Sequence, residues 1–568
     1  VQVKVRALVF LSVALMLAYL VPNHYVPWLA FHQELLAAVA FTPLIIWGLI
    51  TVKKVPLIVI GALLLSTIPL IQLLAGQIYF AGDGWVSWLY IFGFALTVLA
   101  GSALGSSCSG KFELERAFLP IFLGILFAAL ISVGIAIHQW LDLQILNLMV
   151  VDLRPGARPY ANLAQANQLS TLLLLGSVSL VFLYESDRIG GLTASAASCL
   201  LIFGLAMTQS RTVLLSTVVI WAALATMKHK LRLKTSWLFL AVATGLFTVC
   251  SVLWPQLNET LLLTTSSSLE GRFGQDLRLT LWISMFDALG RSLWFGYGWN
   301  QVSVAQQAIA LDHPATYWYF NSSHNIFLDL AIWAGLPLSL MVFGGLTWWF
   351  VQRVRYCETP FAWCLLLAIS FVFCHAMVEF PLSYAYFLLP VGLMMGALEH
   401  VMPDVKKAEN SFTAWFPFRV LGAAAGAMAL TFVVIDYFPI EQQWRDIRFS
   451  QVGIEAAPVK RSERTYLLTQ LSEDVRFATI PAGRAMPPDQ LEWMGKVSER
   501  FAWAASSFKY AQALALNGKP DVAATVLSKL CKIQPPSSCQ AAIKEWERLA
   551  AEEYPELRSV AMPGVPSL

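Results

Sequence analysis

The sequence predicts an all-α integral membrane protein of about thirteen spans, followed by a small, soluble, all-α domain. Three observations lead there. Of 568 residues, 57% are hydrophobic and only 13% charged, against about 25% charged in an ordinary globular protein. Apolar runs of roughly 20 residues recur along the chain, and each can cross the hydrocarbon core as a helix that satisfies its own backbone. After Phe438 the composition turns charged and polar.

The runs place spans near 6–21, 34–52, 55–75, 85–103, 117–139, 168–184, 191–209, 211–227, 236–254, 325–350, 361–379, 383–401 and 419–438. The first run has no convincing cleavage site and reads as a retained span. If the N-terminus is cytoplasmic, sixteen Lys and Arg residues between Lys4 and Arg419 collect on one side, as the positive-inside rule requires. The opposite side holds only Arg154, Arg158, Arg211, Arg272, Arg278 and Arg291 before residue 439. An odd number of spans then places the C-terminal segment outside. Four regions follow: a bundle over 1–254, an external loop over 255–324, a second bundle over 325–438 and the helical domain over 439–568. The net charge of +3 and the lack of a Lys/Arg-rich run give no reason to expect a nucleic-acid partner. The eight cysteines form no CxxC pair and no metal-ligand spacing with histidine.

All six outward exceptions are arginine, the side chain suited to binding an anion. A long external loop also carries arginines at no cost, so that reading stays open for Arg154 and Arg291. Residues 158–168 (Arg158, Tyr160, Asn162, Gln165, Asn167 and Gln168 among them) offer amides and a phenol to sugar hydroxyls or a phosphate. Capping of the helix that follows would use the same residues. Arg211 follows Gln209-Ser210 in a tight turn between apolar runs. Snorkelling explains the charge there without explaining the choice of arginine.

In the 255–324 loop, Arg272 and Arg278 lie in Gly271-Arg272-Phe273-Gly274-Gln275-Asp276-Leu277-Arg278. Leu277, Leu279, Leu281, Trp282, Met285, Phe286 and Leu289 suit an amphipathic helix on the membrane face. Arg278 and Trp282, four apart, share one side of it. The aromatics at 294–299 and 317–320 read either as an interfacial belt or as sugar platforms. The loop ends at Asn321-Ser322-Ser323-His324-Asn325, where a polar segment meets an apolar helix. His375 and Glu379 lie four apart on a later span, followed by Tyr384 and Tyr386. An ionisable pair at a membrane boundary is a functional candidate, or a structural pair closing the bundle.

In the C-terminal domain, helical patterning over about 491–516, a turn at 517–520, a helix from 521 to about 533 and another to about 552 resemble tetratricopeptide hairpins. No clear 34-residue repeat accompanies them. If the domain lies outside, Cys531 and Cys539 are placed to form a disulfide, with two buried thiols as the alternative.

Taken in order, Gln209-Ser210-Arg211, Arg278-x-x-x-Trp282 with Gly296-x-Gly298, and His324-Asn325 before Ala334-Gly335-Leu336 resemble the superfamily of bacterial O-antigen ligases, O-antigen polymerases and protein O-oligosaccharyltransferases. The 162–168 run, the His375 to Phe387 run and the C-terminal domain look like the protein O-oligosaccharyltransferase branch (PglL type). Ala166 stands where that branch is expected to carry proline.

The resemblance implies a GT-C-like glycosyltransferase architecture. It implies a donor glycan on undecaprenyl pyrophosphate and an acceptor Ser or Thr of a periplasmic protein, pilin-like or otherwise exported. Arg211 and Arg278 would hold the pyrophosphate, with Arg272 or Arg158 as a candidate third. His324 would prepare the acceptor hydroxyl. Tyr160, Asn162, Gln165, Asn167, Gln168, Trp282, Asn325, His375, Glu379, Tyr384 and Tyr386 would bind substrate. Neither metal nor cofactor is expected, and transfer would be a direct displacement with inversion. An O-antigen ligase or polymerase is the nearest alternative. A transporter or lipid flippase is the alternative from another class, although its charges would sit at the bilayer midplane with internal repeats.

Overall fold

The computed structural model describes residues 2–108, 110–143, 145, 148–154, 156–163, 165–261, 263, 277–401, 411–413, 416–454 and 465–564. Arg272 lies outside the described residues. Every expected span coincides with a helix or part of one. Seven described helices are at least 18 residues long and apolar enough to cross a membrane, and the pair Trp237–Val252 and Trp254–Thr260, bent by 48°, would make an eighth. By themselves these helices do not confirm the expected count of about thirteen. Gly191–Met207, Pro360–Ala376 and Ala385–Leu398 are apolar but only 17, 17 and 14 residues long, short of the ~20 that cross a bilayer unaided. On the candidate spans themselves apolar side chains face outward, among them Ile50, Leu64, Val218, Leu238 and Leu421, the surface a lipid-embedded protein presents.

The chain divides into two compact units, one of residues 1–65, 90–275 and 345–427, the other of residues 66–89, 276–344 and 428–568. In the first, the rings of Phe118, Phe122, Phe182 and Phe361 pack together, with Phe122 stacked on Phe182 at 4.3 Å. Helices Ala81–Ser106 and Ala385–Leu398 touch backbone to backbone there. A Cβ on Gly101 would lie 2.1 Å from the Leu393 carbonyl oxygen, so only glycine permits the crossing. A two-stranded antiparallel pair, Lys54–Pro56 with Ser411–Thr413, departs from the all-α expectation. Its three residue pairs alter nothing in the helical architecture.

The second unit joins the C-terminal helices to residues 66–89 and 276–344. The chain enters it along helix Phe416–Gln451, which runs well past the expected end at residue 438. Helices Thr469–Thr479, Pro488–Arg500, Ala504–Leu516, Pro520–Ile533 and Pro536–Glu552 follow. The helix expected over 491–516 is two, broken at Phe501–Trp503. Cys531 and Cys539 form a disulfide. Ala502 and Ile533 from these helices pack with Ala310 and Tyr319 of the 276–344 segment in a small hydrophobic cluster.

The span expected over 325–350 is likewise two helices, Ile326–Ala334 and Leu336–Arg355. Gly335, with φ +89°, breaks it. Neither Gly335 nor Gly296 (φ +68°) has room for a side chain, because a Cβ would meet the Trp294 and Ile332 carbonyl oxygens at 2.1 and 2.4 Å. This close approach lets the Tyr297 and Gly298 amides donate to the Ile332 and Trp333 carbonyls at 2.7 and 3.1 Å. The 293–298 turn and the helix break thus form one rigid corner.

Candidate active site

Three separate stretches of the first unit converge through hydrogen bonds. Helix Ala166–Glu185 begins at the amide run, and Asn167 Nδ2 donates to Glu379 Oε1 at 2.6 Å while Gln165 Nε2 reaches Glu379 Oε2 at 3.4 Å. Asn167 Oδ1 accepts from the Ser210 hydroxyl at 2.9 Å. Arg158 Nη1 donates to the Thr208 carbonyl at 2.8 Å and approaches Gln209 O and Asn167 Oδ1 at 3.4 Å. Arg158 therefore clamps the turn that leads into Arg211, where Gln209 takes a left-handed φ of +45° and helix Arg211–Leu231 begins.

The same network extends through Gln168. Its amide donates to Gln165 Oε1 at 2.9 Å, and its oxygen accepts from the buried Tyr386 hydroxyl at 2.7 Å. Tyr386 stacks on Tyr384 at 5.3 Å, and the Thr171 hydroxyl is hydrogen-bonded to His375 Nδ1. Asn167, Gln168, His375, Glu379 and Tyr386 are all buried. In a low-dielectric interior such a network holds its shape because every broken bond strands a polar group.

Asn162 behaves differently from its neighbours. At 1% exposure, its amide donates to the Leu20 and Met149 carbonyls at 2.6 and 2.8 Å and its oxygen accepts from the Val151 amide at 3.1 Å. Both amide hydrogens and the carbonyl are engaged, so the side chain anchors the 149–162 loop. Tyr160 donates its hydroxyl to the Asp152 carbonyl at 2.6 Å, within the same loop.

His324, Arg278, Trp282 and Asn325 belong to the second unit. His324 has a φ of +59°, a left-handed conformation that is uncommon outside glycine and Asn. Its surroundings enforce it. The Ser322 hydroxyl donates to Asp329 Oδ2 and the Ser323 amide to Asp329 Oδ1, each at 2.6 Å. The His324 amide donates to Ser322 Oγ at 2.9 Å. Trp282 Nε1 donates to the Ser323 carbonyl at 2.8 Å. Asn325 caps helix Ile326–Ala334, its Oδ1 accepting from the Leu328 amide at 3.1 Å, and the Phe320 ring meets the imidazole edge-on at 5.6 Å.

Trp282, expected from the sequence to bind substrate, lies on helix Leu277–Arg291, the amphipathic helix expected there, and its indole N–H is bonded to the Ser323 carbonyl. Arg278, one turn before it, shares that helix face and is half-buried. Among the described residues, no group of three or more His, Cys, Asp or Glu side chains is placed to hold a metal ion.

Three families match parts of the chain: protein glycosylation ligase at residues 159–184, O-antigen ligase at 196–343, and the C-terminal part of virulence factor membrane-bound polymerase at 361–547. The general O-oligosaccharyltransferase of Acinetobacter baylyi is 29% identical over 520 residues, covering 90% of this chain and 89% of that protein. The chain is similar to O-oligosaccharyltransferases. A second such relative from the same organism, the ComP-specific O-oligosaccharyltransferase, is 27% identical over 443 residues, 78% of each chain. The matched stretches contain both clusters: 159–184 the amide run, 196–343 Arg211, Arg278 and His324, and 361–547 His375 and Glu379.

Similarity to O-oligosaccharyltransferases does not by itself reveal what holds the histidine, and the carboxylate that does so went unnoticed in the sequence, as did a second buried carboxylate. Asp329 is a lone carboxylate in the otherwise apolar Ile326–Ala334, and such a residue signals a bound partner. Asp83, on helix Ala81–Ser106, is the same kind of signal. The basic partner of Asp83 is Arg500, 417 positions away.

Proposed function

We propose that the chain is a protein O-oligosaccharyltransferase of the bacterial inner membrane, moving an oligosaccharide en bloc from undecaprenyl pyrophosphate to Ser or Thr hydroxyls of periplasmic proteins. The likeness to an O-oligosaccharyltransferase along nine-tenths of the chain carries this reading. The His324 loop, fixed in an uncommon backbone conformation, supports it. His324 takes the proton of the acceptor hydroxyl. The hydroxyl oxygen attacks the anomeric carbon from the face opposite the leaving group, the bond to pyrophosphate oxygen breaks, and configuration inverts. The guanidinium forks of Arg211 and Arg278 hold the charge that develops on the pyrophosphate, and no cofactor takes part. Arg158 acts through the Arg211 turn. Gln165, Asn167, Gln168, His375, Glu379, Tyr384 and Tyr386 shape the glycan or lipid-phosphate contact, with Asn325 and Trp282 beside the histidine.

A cytoplasmic N-terminus with periplasmic C-terminal helices is supported by the Lys/Arg asymmetry. The Cys531–Cys539 disulfide suits an oxidising compartment. Co-expression with an undecaprenyl-pyrophosphate-linked glycan and an exported Ser-bearing acceptor tests the function, and glycan is expected on the protein. Glycan found only on lipopolysaccharide would favour a second reading, an O-antigen ligase. The match of residues 196–343 to that family, in the stretch holding Arg211, Arg278 and His324, is the observation behind it.

A further inference from the structure

We propose that Arg500 is a positioning residue for His324: paired with Asp83 and tied to Tyr319 and Asn321, it lets the C-terminal helices set the conformation of the loop that presents the histidine. The proposal rests on reading His324 as the group that prepares the acceptor.

Arg500 ends helix Pro488–Arg500 and is buried, as is Asp83. Its Nε and Nη2 donate to the two Asp83 carboxylate oxygens at 2.9 and 2.8 Å, the bidentate geometry that fixes both position and plane of a guanidinium. Asn300 Nδ2 reaches Asp83 Oδ1 at 3.2 Å. The remaining Arg500 nitrogen, Nη1, points to Asn321 Oδ1 at 3.4 Å.

Being last in its helix, Arg500 also has a backbone carbonyl that the helix does not use. The Tyr319 hydroxyl at 2.9 Å and the Ser303 hydroxyl at 3.0 Å donate to it. The single Tyr319 hydroxyl hydrogen is shared between that carbonyl and Asn321 Oδ1, and the Tyr319 ring packs against Ala502, Ile533 and Trp503. A second tie lies nearby, where the Tyr317 amide donates to the Lys532 carbonyl at 3.1 Å.

The segment held in this way leads straight to the histidine. After Tyr319, the Phe320 amide donates to Gln306 Oε1 at 3.0 Å, and Ser322 and Ser323 are locked to Asp329. Asn321 is the one residue between these two anchors, and Arg500 and Tyr319 hold it. The C-terminal helices thus supply one end of a clamp on the 319–324 segment, while Asp329 and Trp282 supply the other.

The test uses the full-length protein reconstituted with an undecaprenyl-pyrophosphate-linked glycan and an exported acceptor protein that the unaltered enzyme glycosylates. Tyr319→Phe and Asn321→Ala each remove contacts to the clamp and leave the Arg500–Asp83 pair in place. Each is expected to lower kcat about five- to tenfold, the scale of one hydrogen bond, with acceptor KM unchanged and Tm lower by only about 2–4 °C. Arg500→Lys keeps the charge opposite Asp83 but not the fork, and its kcat is expected to fall further.

Unaltered kcat in Tyr319→Phe and Asn321→Ala, beside an inactive His324→Ala, would overturn the clamp and leave the reading of His324 standing. A fall in kcat accompanied by a loss of Tm well beyond about 2–4 °C would show a merely structural role and also overturn it. An active His324→Ala would overturn the reading of the site, and with it the clamp.

Discussion

Removing the Asp329 carboxylate should disable the transfer step while leaving the rest of the protein folded. Asp329 is 2% exposed and accepts two bonds at 2.6 Å, one from the Ser322 hydroxyl and one from the Ser323 amide. Asp329→Ala strands both donors. Ser323 is fully buried and its amide has no water to turn to. The Ser322 hydroxyl can reorient, but its oxygen also accepts the His324 amide. With each stranded buried group costing about 1–3 kcal/mol, the loop conformation that gives His324 its φ of +59° loses about 2–4 kcal/mol. At about 1.4 kcal/mol per tenfold, kcat falls about 30- to 1000-fold. Asp329→Asn keeps one acceptor oxygen and should lose about tenfold. The assay is transfer of a lipid-linked glycan to an acceptor protein by purified protein, with Tm measured alongside. An Asp329→Ala protein with kcat within about twofold of the unaltered one, well inside the loss predicted from stranded donors, would refute the reasoning.

Three further outcomes follow from individual contacts. Burial pushes the Asp474 carboxyl from 3.8 up to about 7, against the attraction of Arg500. The folded protein therefore holds a proton between roughly pH 4 and 7 that the unfolded chain lacks, and stability falls as pH rises through that window and levels above it. Asp474→Asn should flatten Tm between pH 5 and 8; a parallel profile would contradict the assignment. Reducing the Cys531–Cys539 bond, which closes a loop with a sequence separation of 8, should destabilise the C-terminal helices by about 2–3 kcal/mol, seen as a lower Tm in dithiothreitol. Asn162→Ala strands the Val151 amide and two carbonyls, and should cost about 2–4 kcal/mol of stability with kcat of the surviving protein unchanged. A selective fall in acceptor or donor affinity would instead make Asn162 a binding residue.

Local and one-dimensional features were legible from the sequence. Apolar runs located the helices because a span needs an unbroken hydrophobic stretch whatever its neighbours are. His324 stood out as a polar residue at the mouth of such a run, and Arg211 as a charge in a turn between two. The break at Gly335 was hidden, since a single glycine between Ala334 and Leu336 leaves the hydrophobic run continuous. It becomes a break only because the 293–298 turn bonds into it. Pairings across long separations were equally hidden. Asn167 and Glu379 lie 212 positions apart and Arg500 and Asp83 lie 417 apart, and a single sequence carries no trace of which charge meets which. The C-terminal helices were visible as an all-α region, but their integration with residues 66–89 and 276–344 depends on such pairings. Trp282 was expected against substrate, and its sequence position gave no sign that its indole N–H holds the Ser323 carbonyl.

The central claim is that His324 prepares the acceptor hydroxyl. It is tested most directly by the single-turnover rate of glycan transfer to an acceptor protein in reconstituted His324→Ala protein. With lipid-linked donor saturating and Tm unchanged, loss of a general base predicts a rate lower by about 100-fold or more. A rate within about threefold of the unaltered protein, far short of what a general base contributes, would contradict the claim.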